Sequence, residues 1–123
     1  MSWHHAISCF VGAAFLINAV PHVVSGVSGR PFQSPFATPR GVGLSSSTVN
    51  VVWGFFNLAV AYALICRVGA FDPQSIADVA VTGLGAFLSS VALAQIFGRL
   101  HGGNTPNASS GTASSDTASS EAS

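Results

Sequence analysis

Three stretches of this chain, residues 6–26, 49–68 and 77–98, are apolar over roughly the 20 residues that a helix rising about 1.5 Å per residue needs to cross hydrocarbon. Their interiors hold no charged side chain; Arg67 stands at the end of the second run and Asp78 opens the third. One such run could be a buried core helix, but three of them in 123 residues leave too little polar chain to shield them from water. The pattern predicts an all-α integral membrane protein with three transmembrane helices.

Composition points the same way. The chain is 49% hydrophobic and 7% charged, whereas a soluble domain carries about a quarter charged residues on its surface. Its only basic side chains are Arg30, Arg40, Arg67 and Arg99, and the formal net charge is +0. Nucleic-acid binding is excluded as a function class, because neutralising phosphates takes clustered lysine and arginine. A secretory signal is the other reading of the first run. It fits less well, since Trp3, His4 and His5 provide no fixed positive charge and the run is long for a signal core and contains Asn18, Pro21 and His22. The run is read as a retained span.

Between the first two runs, residues 27–48 hold Pro31, Pro35 and Pro39 at four-residue spacing, with Phe32 and Phe36 between them and Gly41, Gly43 and Ser45 to Ser47 following. Proline fixes φ and removes a backbone donor, so this segment cannot be a helix facing lipid. It is expected to be a semi-rigid extended loop whose phenylalanines rest in the interface or on the helix ends. The second connection, residues 69–75, is short. Ser75 with Asp78 three residues on resembles a capping box with Asp in the place of Glu or Gln. Residues 1–101 are thus expected to form the transmembrane domain. Residues 102–123, rich in Gly, Ser, Thr and Ala, have no large apolar side chain to offset the entropy of ordering and are expected to be a disordered tail. Asn107-Ala108-Ser109 matches the glycosylation acceptor pattern, a short and weak match.

With three spans, the N-terminus and the second connection share one side, which carries only Arg67. The long loop and the tail share the other, with Arg30, Arg40 and Arg99. The positive-inside bias then places the N-terminus outside and the long loop and tail in the cytoplasm, in what is expected to be the plasma membrane. Cys9 and Cys66 fall at similar depth on the same side, which permits a disulfide on the outside; isolated thiols are favoured, because helix rotation is not set by the sequence.

Polar side chains within the runs are the candidate site. Asn18 and His22 are one turn apart in the first, and Asn50, Trp53 and Asn57 follow three-, four- and seven-residue spacing in the second, so each set lies on one helical face. Counting helical rise from the loop end, His22 and Trp53 lie roughly 6 to 7 Å deep and Asn18 and Asn57 roughly 12 to 13 Å deep. The third run brings Gln95 and the pair Ser89 and Ser90 to comparable depths, which predicts one polar layer shared by all three helices. An unpaired amide in hydrocarbon costs several kcal/mol, so these groups should face one another. They either hold the bundle together or line a small cavity with His22 as its titratable member.

No Asp or Glu shares the depth of His22 to form a proton relay. Adjacent His4 and His5 near Cys9 lack a fixed metal geometry, and no paired carboxylates, nucleophile set or phosphate loop is present. No enzyme, cofactor or metal function is therefore expected. The leading expectation is an accessory or structural subunit of a membrane complex, partnered by the bilayer and another membrane protein. The alternative is a homo-oligomeric binding or permeation module for a small ligand, lipid or ion, an oligomer being needed because three helices enclose little volume.

Overall fold

The first helix begins where Ser2 caps it, its hydroxyl accepting the amide of His5 at 3.3 Å. In the computed structural model, which describes residues 1–106, α1 runs over Trp3–Val27 and ends before Gly29, whose φ of +72° needs no Cβ to be accommodated. Ser46 opens α2, Ser47–Tyr62, by accepting the Val49 amide at 3.2 Å. The same helical rod continues as a π-helical segment, Ala63–Val68, before α3, Ile76–His101. All three helices are long and apolar enough to cross a membrane. The described residues divide into two compact units, Met1–Val91 and a second that begins at Ala92.

In the first unit α1 and α2 pack along seams of small and polar residues. α1 buries Ser8, Gly12, Ala19, His22 and Gly26, and α2 buries Asn50, Gly54, Asn57 and Ala61, each at intervals that keep to one face. Small residues let the backbones approach closely. A Cβ at Gly54 would lie 2.5 Å from Val23 Cγ2, and one at Gly26 would lie 2.7 Å from the Ser47 carbonyl oxygen. The largest fully buried side chains include Asn50 and Asn57, while Val24, Val52, Phe55, Phe56 and Leu84 face outward. A water-soluble protein has the reverse arrangement.

The π-helical segment coincides with this tight packing. Ser8 Oγ donates to the Leu64 carbonyl at 2.6 Å, and Gly12 leaves no room for a Cβ against Leu64 and Ile65. Leu64 and Ile65 also accept the amides of Gly69 and Phe71, five and six residues on, which closes the wide turn. Both cysteines are free. Cys9 is buried near the carbonyls of Ile65 and Gly69, and Cys66 is exposed. Helix rotation has placed one thiol inside and the other outside.

The long connection is more ordered than an extended loop. Phe32–Gln33 (β1) pairs antiparallel with Leu44–Ser45 (β2), Phe32 opposite Ser45. Between them the chain closes on itself: the Gly41 amide donates to the Ser34 carbonyl at 2.9 Å, that of Gly43 to Pro39 at 2.7 Å, and the Ser34 and Ser45 hydroxyls bond at 2.6 Å. Phe32 is buried and Phe36 is exposed.

α3 begins at the capping box. The Ser75 hydroxyl accepts the Asp78 amide at 3.2 Å and donates to Asp78 Oδ1 at 3.0 Å, while Asp78 Oδ2 accepts the Asp72 amide at 2.9 Å. Asp78 is thus a structural cap tying the connection to the helix. Replacing Ser75 by Ala should lower stability by about 1 kcal/mol. Asp78→Ala, which also orphans the Asp72 amide, should cost about 1.5 to 3 kcal/mol. Unfolding midpoints in mild detergent check this, and an Asp78→Ala midpoint equal to wild type would refute the cap. Farther along, α3 meets α1 where Gly85 lies against the Phe10 backbone; a Cβ there would be 2.6 Å from the Phe10 carbonyl oxygen.

In the second unit the Asn104 amide folds back on the end of α3, donating to the Ala94 carbonyl at 3.3 Å, and the Thr105 amide closes a turn on Gly102. The disorder expected of residues 102–123 lies, from 107 onward, outside the described residues, as does the Asn107 acceptor pattern.

Candidate functional site

Asn50 is the centre of the buried polar layer. It sits in the first turn of α2, fully buried, facing both α1 and the hairpin. Its Nδ2 lies 3.0 to 3.1 Å from three carbonyl oxygens, those of Phe32, Ser45 and Ser46, and shares its two hydrogens among them. That orientation turns Oδ1 toward His22, whose Nδ1 is 2.7 Å away. An amide oxygen only accepts, so His22 Nδ1 must carry the hydrogen, and in the neutral ring Nε2 is left as the acceptor. One asparagine side chain thereby joins α1, α2 and both strands of the hairpin.

One to two turns deeper, Asn18 Nδ2 donates to Asn57 Oδ1 at 3.1 Å, and Asn57 Nδ2 donates to the Trp53 carbonyl of its own helix at 2.8 Å. This places a second interhelical bond below the first, each of a kind that adds about 0.5 to 2 kcal/mol in a membrane. Trp53 lies between the two levels. Its ring meets His22 edge to face at 6.4 Å, meets Phe36 of the hairpin likewise at 5.2 Å, and stacks on Phe56 at 5.4 Å. The Trp53 indole Nε1 is buried and donates to no acceptor among the described residues.

Of the residues expected to share the layer, the structure brings together Asn18, His22, Asn50, Trp53 and Asn57. Ser90 instead donates to the Ala86 carbonyl of its own helix at 2.7 Å, Ser89 is half-buried, and Gln95 is exposed in the second unit. Matching depth is insufficient for contact: within the first unit α3 approaches α1 at Gly85 and Phe10, near the other end of α1 from His22. The residues that sequence reasoning missed are the three carbonyls held by Asn50 and the Ser34–Ser45 hydroxyl pair. A faint signal existed in Ser46, four residues before Asn50 and so within reach of its side chain, but backbone acceptors from a distant strand leave no trace in residue types.

Beside this layer, Phe36, Thr48, Val49, Val52, Trp53 and Phe56 line an open cavity of about 570 Å³. The α2 residues among them recur at four-residue intervals, so they form one helical face, and Phe36 of the hairpin walls the cavity. Among the described residues no group of His, Cys, Asp or Glu is arranged to hold a metal ion. The chain matches no protein-family model, no curated protein and no solved structure at a significant level.

Proposed function

We propose that this chain is an integral membrane protein of three spans acting as an accessory or structural subunit of a membrane complex. The membrane reading rests on the inverted packing: amides, an imidazole and small residues inside, and large apolar side chains outside on all three helices. In this reading the plasma membrane holds the protein, with the N-terminus outside and the hairpin and tail in the cytoplasm, because Arg30, Arg40 and Arg99 outnumber Arg67.

The observation that carries the subunit role is α3. Only 11% of its membrane-length stretch is buried, against 33% for α1, although it presents Gly83, small enough for close helix approach and with nothing within 4 Å of where its Cβ would stand. The polar layer favours a structural role as well. Its hydrogen bonds run between α1, α2 and the hairpin, as expected of groups that hold a scaffold together. The absence of paired catalytic groups in the sequence leads us to propose no enzymatic activity. The alternative, a homo-oligomeric module binding or passing a small ligand, lipid or ion, is favoured by one feature, the aromatic cavity beside Trp53.

Purification of the full chain from its native membrane in mild detergent separates the two. A stoichiometric foreign membrane protein is the expected result; a homo-oligomer alone would overturn the subunit role in favour of the module. Orientation is tested by cysteine substitution at Ser2, Ser45 and Ser115 in a Cys9→Ser, Cys66→Ser background. Ser2→Cys should label from outside and the other two only after permeabilisation. Labelling of positions 45 and 115 from opposite faces would refute the three-span topology.

A further inference from the structure

We propose that the cavity walled by Phe36 and α2 is a site for one anionic phospholipid, an acyl chain lying against Val49, Val52, Trp53 and Phe56 and the headgroup meeting the arginines of the hairpin segment. The inference rests on the membrane reading above. In that reading the first turns of α2 lie at the membrane–water boundary, where a lipid passes from headgroup to chain.

Three observations specify the occupant. The lining is hydrocarbon and aromatic apart from Thr48, so it suits an apolar chain, and its volume of about 570 Å³ lies within the roughly 300 to 1,000 Å³ typical of ligand sites. The Trp53 ring lines the cavity, and an indole suits the level where a lipid passes from headgroup to chain. The third observation is charge. Phe36 and Arg40 belong to the same closed turn, pinned by the Gly41 amide on the Ser34 carbonyl, and Arg30 precedes β1. The chain has no acidic residue before Asp72, so these arginines have no carboxylate near them in sequence, and both are exposed. An anionic headgroup complements them, and a zwitterionic one does so less.

The test uses the two tryptophans. Trp3→Phe leaves Trp53 as the sole indole. The full-length variant is reconstituted in phosphatidylcholine vesicles containing a minor fraction of phosphatidylglycerol, and bromine is placed on the acyl chains of the phosphatidylglycerol or of an equal fraction of the phosphatidylcholine. Brominated phosphatidylglycerol should quench Trp53 severalfold more strongly. Arg40→Gln should reduce that preference by about fivefold. Val52→Phe, which fills the cavity from an exposed position, should reduce quenching by both lipids while leaving the protein folded. Equal quenching by the two lipids, or a preference unchanged in Arg40→Gln and in Arg30→Gln, would overturn the site while leaving the membrane reading intact. Release of the protein from vesicles by alkaline carbonate would overturn the membrane reading itself and the lipid site with it.

Discussion

Asn50→Leu should unfold this protein at ordinary temperature or lower its stability by about 3 kcal/mol or more. The side chains are close in size, so the loss is electrostatic. Leu removes the acceptor of His22 Nδ1 and the donor to three carbonyls at a position with no exposure to solvent. Each buried group deprived of its partner costs about 1 to 3 kcal/mol. Asn50→Asp discriminates the two halves of this role. It retains an acceptor for His22 but turns a second oxygen, in place of the donor, toward the Phe32, Ser45 and Ser46 carbonyls. It should therefore be about as damaging as Leu, and a near-native Asn50→Asp would show that the carbonyl cluster contributes little. His22→Gln is the mild counterpart, because a Gln amide can still donate to Asn50 Oδ1. If His22 serves the fold through this bond alone, wild type and His22→Gln should have similar unfolding midpoints at about pH 8, where an ordinary imidazole is neutral. A much lower midpoint for His22→Gln at that pH would mean that the imidazole does more than hold Asn50.

The second large effect is expected at the helix seam. In Gly26→Leu, a Cβ would stand 2.7 Å from the Ser47 carbonyl oxygen and 2.9 Å from the Val51 amide nitrogen. Both are backbone atoms that cannot rotate away, so α1 and α2 must separate near the hairpin. Overpacking of this kind costs about 1 to 3 kcal/mol by itself. It also pulls apart the His22–Asn50 bond one turn along α1, so the total should exceed that range. Gly83→Ala supplies the control. Nothing lies within 4 Å of a Cβ at Gly83, and removing glycine from a helix interior should stabilise by up to about 1 kcal/mol. Unfolding midpoints of both variants in mild detergent check the pair. A Gly26→Leu protein as stable as wild type would mean that the close approach of the two helices is unnecessary to the fold.

These two positions also mark the boundary between what residue order conveys and what packing adds. The number, length and apolar character of the helices were legible from sequence, since each depends only on about 20 consecutive residues and their transfer from water. So were the Ser75–Asp78 cap, a local device between residues three apart, and the shared faces of Asn18 with His22 and of Asn50 with Asn57, which follow from helical periodicity. The hairpin within the proline-rich segment was not legible. Its strands are two residues each, too short for any alternation, and they are held by Asn50 from outside the segment.

The sequence by itself determined, for the described residues, three membrane-length helices, one cap, and the depth of each polar group along its own helix. The tertiary structure alone decided which of those groups touch. Depth is a coordinate along one helix and follows from rise per residue, but contact also requires rotation about the helix axis and the path of each neighbour, and those are set where small residues permit approach. Gly26 and Gly54 bring α1 and α2 together at the level of His22 and Asn50, whereas Gly85 brings α3 to Phe10. The five polar residues of the first two helices therefore meet, and Ser89 and Ser90, at a similar expected depth, have no hydrogen bond to them.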